Sequence, residues 1–207
     1  TDNHNNQIHI GSKYDNYEGM RAVIGGSDNH LLFITYRFNN ISVFDLNTFQ
    51  FIDRVILPTV DYVEYHCFVS KLANGQENKN KIHEMLLFCF EIGLLIEYDE
   101  DNNTFEFHDI TVCCDIPFHY AYVCINDIIL FFGGRDHANV LKLVHKYSIR
   151  ENKWIKFQNV LPSPLLHCAA IFSEESNDIH IIGGQNSKDI LSTHIKIKAL
   201  ECDISLL

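Results

Sequence analysis

The sequence predicts an all-β protein in which one four-stranded antiparallel unit is used several times over. Three observations carry this: an opening strand that recurs, an apolar run that recurs behind it, and the lack of any helical periodicity.

The opening strand recurs as Met20-Arg21-Ala22-Val23, His66-Cys67-Phe68-Val69, Tyr120-Ala121-Tyr122-Val123 and His167-Cys168-Ala169-Ala170, at spacings of 46, 54 and 47 residues. A period of this size marks a repeat architecture. Behind each opening strand lies a polar turn and then an apolar run, at 31–34, 85–89, 128–132 and 179–182. Short, continuous and rich in β-branched and aromatic residues, these runs read as buried strands.

A third strand carries an aromatic followed by a polar residue, as in Val43-Phe44-Asp45, Glu97-Tyr98-Asp99 and Lys146-Tyr147-Ser148. An Asn-containing turn leads into a second aromatic: Asn47-Thr48-Phe49, Asn103-Thr104-Phe105 and Asn152-Lys153-Trp154, with Phe51, Phe107 and Phe157 just beyond. Asn suits such a reversal because it tolerates positive φ. Pro58, Pro117 and Pro162 fall between units, where a proline removes no ladder hydrogen bond. No stretch of a dozen residues keeps apolar positions at i, i+3, i+4 and i+7, so almost no helix is expected.

One four-stranded meander has two apolar faces and cannot bury both alone, so the units must stack; stacked sheets of this kind are the blades of a β-propeller. The third unit reads Ile128-Ile129-Leu130-Phe131-Phe132-Gly133-Gly134, then Tyr147, Trp154 and Leu161-Pro162, and the last repeats Ile179-His180-Ile181-Ile182-Gly183-Gly184. With these residues the chain resembles the kelch-repeat family. Ile8-His9-Ile10-Gly11 is similar to the same strand of a preceding unit. Two units depart: Thr35-Tyr36 and Phe90-Glu91 stand at the glycine pair, and Phe49 and Phe105 replace Trp, so their turns differ from the family's. Gly25-Gly26 aligns with the hairpin after the opening strand and is not a family glycine pair.

The resemblance implies a single kelch-repeat region over 1–207, an incomplete or open kelch-type β-propeller of four-stranded antiparallel blades. It divides into a partial blade at about 1–17, blades at about 18–63, 64–117 and 118–164, and a partial blade at 165–207. Kelch propellers usually close with six or seven blades. The chain therefore reads as a fragment, or as one that self-associates to complete the ring.

The net charge of −11 and the scattering of sixteen Lys and Arg argue against nucleic acid, and no apolar run has the length of a membrane helix. Seven cysteines without a C-x-x-C pair read as buried thiols, which implies a reducing, cytoplasmic setting.

The His-Cys pairs His66-Cys67 and His167-Cys168 could suggest a base and a nucleophile, but a residue repeated once per blade is set by blade geometry. No metal motif appears: His83-Glu84 lacks a second His, and Cys113 and Cys114 point to opposite faces of any strand. The expectation is no catalytic residue, no metal and no cofactor. The polar insertion at 72–81 reads as a mobile surface loop.

Kelch domains mostly hold a partner protein on loops at one end of the disc. Carried onto this chain, that implies a non-catalytic protein-binding module whose face holds Tyr36, Arg37, Glu91, Arg135, Asp136 and Gln185, the residues just after each second strand. The alternatives are a propeller enzyme, either an oxidase or a sugar-processing protein, and a self-associating scaffold. The five arginines, Arg21, Arg37, Arg54, Arg135 and Arg150, form no cluster in sequence that would favour an enzyme.

Overall fold

The computed structural model describes Ile8, Ile10, Gly11 and residues 13–60, 62–71, 81–113, 116–157 and 161–199. Fifteen strands make up the regular structure, with no α-helix among the described residues. No helix there is long and apolar enough to cross a membrane.

The first blade comprises β1 (Arg21–Gly25), β2 (Leu31–Tyr36), β3 (Asn40–Asp45) and β4 (Gln50–Ile56). The second comprises β5 (Cys67–Ser70), β6 (Ile82–Cys89), β7 (Ile92–Asp99) and β8 (Thr104–Asp109). The third holds β9 (Ala121–Ile125), β10 (Ile128–Phe132), β11 (Val144–Ser148) and β12 (Lys153–Phe157), and the fourth β13 (Ala169–Ser173), β14 (Asp178–Ile182) and β15 (His194–Lys198). Each sheet is an antiparallel meander with its strands in sequence order, three sheets of four strands and one of three. The strands fall within the blade ranges 18–63, 64–117, 118–164 and 165–207. Ile8 and Ile10 lie in no strand, and His9 lies outside the described residues, as do 72–80 of the insertion, Cys114 and Cys202.

The chain forms two compact units, Thr1–Val112 and Cys113–Leu207, each of two blades. In the first unit, Leu31, Phe33, Ile41 and Val43 of the first blade pack against Phe68, Met85, Leu87, Leu94 and Ile96 of the second. Phe33 meets Tyr98 edge-on at 5.1 Å between ring centroids. In the second unit, Leu130, Phe132 and Val144 of the third blade pack against Ile179 and Ile181 of the fourth. Burying each such side chain contributes about 1.5–3 kcal/mol, so blade-on-blade contact is what holds each unit together.

Local geometry repeats closely. The residue two before each opening strand has positive φ: Gly19 (67°), Tyr65 (49°), His119 (56°) and His167 (53°). So does the residue just before the third blade's two-residue hairpin closes and its counterparts, Asn29, Asn126 and Asn177, all near 55°. Asn is enriched there because its short polar side chain lowers the penalty of the left-handed region.

Three sequence alignments need correction. Ala169 pairs with Ile182 as Ala121 pairs with Phe132, so the last unit is shifted by one residue. His167 therefore matches His119 and Tyr65, while Cys168 matches Tyr120 and His66. Second, Tyr98 stands opposite Phe105, Tyr147 opposite Trp154 and Phe44 opposite Phe51, so Phe51, not Phe49, takes the Trp position. A bulge between Val43 and Phe44 hides this in sequence. Phe49 instead ends the turn at φ 57°, where the sister blades have Asn103 (52°) and Asn152 (51°). In those blades the Asn side-chain oxygen accepts the Tyr hydroxyl, Tyr98 to Asn103 at 2.7 Å and Tyr147 to Asn152 at 2.8 Å. Phe44 has no hydroxyl to receive.

Third, strand pairing places Tyr36-Arg37 and Cys89-Phe90 at the glycine-pair positions. The thiols also differ from expectation. Cys67 and Cys89 are buried, whereas Cys113, Cys124 and Cys168 are only partly so.

Candidate functional site, a cleft between two matched loops

The connection between the second and third strands separates the blades into two kinds. In the first blade β2 and β3 are joined by Arg37-Phe38-Asn39, with φ of 67° and 60° at the last two; in the second, Phe90-Glu91 alone joins β6 to β7, with Phe90 at 52°. In the third and fourth blades eleven-residue loops, 133–143 and 183–193, take their place.

These two loops share one construction. Gly133 and Gly134 have φ of 65° and 92°, Gly183 and Gly184 of 70° and 101°. The amide of Gly133 donates to the Leu143 carbonyl and that of Gly183 to the Thr193 carbonyl, both at 2.8 Å. Asp136 Oδ1 accepts the amides of Ala138 and Asn139 at 2.7 and 2.6 Å; Asn186 Oδ1 accepts those of Lys188 and Asp189 at 2.7 and 2.8 Å. This is the Asx turn, in which a short polar side chain holds its own backbone. Hydrogen bonds from Asn139 and Ala138 keep the Asp136 carboxyl below its ordinary pKa.

Each loop is also tied to the segment that leads into its blade. Arg135 exchanges both backbone hydrogen bonds with Phe118 at 2.8 Å, and Gln185 does so with Leu166 at 3.0 and 2.9 Å. The loops thus sit on rigid supports. Between them opens a cleft of about 570 Å³ lined by Arg135, Asn139, His167, Gln185, Asn186 and Lys188, with Val140, Pro164 and Leu166 supplying apolar contact.

The residues expected on a binding face are placed as follows. Arg135 and Gln185 come together on this cleft, and Asp136 braces the loop beside it. Tyr36 and Arg37 belong to the first blade and Glu91 to the second. Tyr36 is only 1% exposed and packs on Tyr17 at 4.7 Å, so its ring is committed to the interior. Arg37 lies between Glu18 at 3.1 Å and Glu64 at 3.3 Å. Glu91 is exposed in its two-residue turn.

Sequence reasoning missed a histidine pair at the cleft. His167 donates its amide to the His119 carbonyl at 3.1 Å, and the two rings lie 4.5 Å apart. Burial, helped by His167 and the Arg135 guanidinium, pushes the His119 pKa down to about 4. Burial and Arg135 also lower that of His167. Both imidazoles are therefore neutral at pH 7. The signal was present in the repeat, since His119 and His167 are equivalent once the last unit is moved by one residue.

Elsewhere, His66 is wholly buried with its Nε2 2.5 Å from the Thr35 hydroxyl. Burial, aided by Arg21, holds its pKa well below the ordinary value. Burial raises the thiols of Cys124 and Cys168 to about 11, which leaves them poor nucleophiles. On the β7–β8 surface, donor atoms of Glu97, Glu106 and His108 lie within 4.8 Å of one another, an arrangement that could hold a metal ion. The imidazole, 3.7 and 4.0 Å from the two carboxylates, also serves as their ion-pair partner when protonated.

Comparison with known proteins bears on the third blade. Residues 118–160 match the model of the kelch motif, the stretch that contains β9 to β12 and the first of the two long loops. No curated protein matches the chain. The third blade thus carries a kelch motif within an all-β architecture of antiparallel propeller blades.

Proposed function

We propose that the chain is a non-catalytic binding module that holds another protein at the cleft between its two long loops. The observation that carries this reading is the pairing of two loops of one hydrogen-bonded construction. They stand side by side on rigid blades, with Arg135 exposed and Gln185 facing the same opening. Recognition of a protein surface favours such a pre-organised rim, because little side-chain and loop freedom is lost on binding. Arginine suits the role through its planar array of donors. Burial and the raised pKa values make Cys124 and Cys168 poor nucleophiles, and a reducing compartment such as the cytoplasm suits the free thiols.

The test is a photo-crosslinking amino acid at Ala138, an exposed position on the cleft, in the full chain expressed in cells. The expected result is a discrete cross-linked protein that disappears when Arg135 and Gln185 are both changed to alanine. The same label at Asp28, in the β1–β2 turn, serves as the control. Equal capture from both positions, or capture indifferent to the double substitution, overturns the assignment of the cleft.

A further inference from the structure

A second pair of histidines lies on the fourth blade, and neither of them lines the cleft. His180 belongs to β14 and His194 to β15; the register sets His180 opposite Lys196 and Ile182 opposite His194. His180 and Ile182 are two apart on one strand and share a face, so Lys196 and His194 share it with them. The two imidazoles meet on the diagonal, stacked at 17° with 5.1 Å between centroids. His180 Nδ1 and His194 Nε2 lie 2.8 Å apart. Fourteen positions separate the residues in the chain, so no motif spacing announces the pair.

The surroundings leave room for an ion. His194 is exposed and His180 partly so, and β15 stands at the edge of its sheet among the described residues. Ile171, opposite His180, and Ile182, opposite His194, are exposed and flank the pair with apolar surface. The cations of this face are committed elsewhere: Lys196 and Lys198 both reach the Asp178 carboxylate, at 2.8 and 2.7 Å. Asp178 stands opposite Lys198, on the far side of His180 from His194, so both ammonium groups are drawn away from the imidazole pair.

We propose that His180 Nδ1 and His194 Nε2 together bind a divalent late transition-metal ion, nickel(II) or copper(II). Neutral imidazole is a preferred ligand for such ions, whereas magnesium and calcium take oxygen donors. An ion about 2.0–2.1 Å from each of two nitrogens held 2.8 Å apart sees them at about 90°. A tetrahedral zinc ion asks for about 109° and a wider separation. The right angle belongs to the square-planar and tetragonal sites of nickel(II) and copper(II). On binding, the N–H···N bond opens. The proton of the donor ring passes through solvent to that ring's far nitrogen, both lone pairs turn to the metal, and water fills the remaining positions.

The experiment titrates nickel(II) chloride, then zinc chloride, into the tag-free full chain by calorimetry, with excess magnesium present. The expected result is one nickel ion per chain, held more tightly than zinc and indifferent to magnesium. Outer-shell partners of a metal are worth about 10–100-fold in affinity and a direct ligand no less, so His180→Asn and His194→Gln should each weaken binding at least about tenfold. His108→Gln, in the Glu97, Glu106 and His108 cluster, should leave it unchanged. Urea unfolding read at Trp154 provides a second measurement: nickel should raise the midpoint of the parent and of His108→Gln but not of the other two variants. Their metal-free midpoints, matching that of the parent, show that they fold. Absence of nickel binding, undiminished binding in both histidine variants, displacement by magnesium, or loss in His108→Gln overturns the site. Tighter binding of zinc than of nickel overturns the right-angled geometry on which it rests.

Discussion

Changing the first glycine of each pair to alanine should separate backbone strain from steric exclusion, because the two positions share one and differ in the other. Gly133 and Gly183 have φ of 65° and 70°, so either substitution places a Cβ in the left-handed region, at about 1–2 kcal/mol. At Gly183 the new atom meets nothing within 4 Å. At Gly133 it is driven into the carbonyl oxygen of Leu165, with Leu161 Cδ1 only 3.3 Å away. That oxygen accepts the Gly134 amide at 2.7 Å and cannot withdraw without breaking the bond that ties the loop to the next segment. The added overpacking costs about 1–3 kcal/mol. Gly133→Ala should therefore lose about 2–5 kcal/mol and Gly183→Ala about 1–2 kcal/mol. Urea unfolding followed by tryptophan fluorescence reports both, since Trp154 is the only tryptophan and sits 5.2 Å from Phe131 and 4.8 Å from Tyr147. Equal losses at the two glycines would refute the claim that the Leu165 carbonyl, and not backbone conformation alone, excludes a side chain at Gly133.

Phe49→Asn is expected to stabilise the first unit by about 1 kcal/mol, because asparagine tolerates the φ of 57° that a bulky residue resists; a thermal midpoint no higher than that of the parent rules this out. The chain should lose stability in acid. His66 is buried and neutral in the folded state, with its pKa well below the ordinary value, whereas the unfolded chain takes up that proton near the usual pH. Its contribution is therefore fully present above about pH 6.5 and is lost progressively as pH falls toward the folded value. His66→Gln, which retains a partner for the Thr35 hydroxyl, should flatten urea midpoints measured between pH 7 and 5. An unchanged slope would exclude His66 as a source of the acid sensitivity.

Much of the fold could be read from sequence because strand content depends on short-range pattern. The apolar run at 128–132 is β10 to the residue, and the opening strands begin one residue later than expected in the first three units. The prolines at 58, 117 and 162 fall between blades as their missing amide requires. What failed was register. His167-Cys168-Ala169 and His66-Cys67 look alike, but identity at one position carries no information about which residue occupies the left-handed turn. Likewise the bulge at Val43/Phe44 moves Phe51 into the place assigned to Phe49. Of the residues lining the candidate cleft, Arg135 and Gln185 were legible because a glycine pair fixes the loop that follows it. Tyr36 was not, since it is still the last residue of β2 and its ring turns inward to pack on Tyr17. The His119–His167 contact joins residues from successive blades, and it emerges from the repeat only when the last unit is moved by one residue.

The two long loops divide the labour between a few fixed positions and a tolerant tip. The glycine pair and one Asp or Asn set the path of the chain, while the side chains of Ala138, Ser187 and Lys188 at the apex take no part in those turn-closing bonds. Such a division makes the rim adaptable: selection, or a designer, can rewrite the apex residues to greet a new ligand without unsettling the blades beneath.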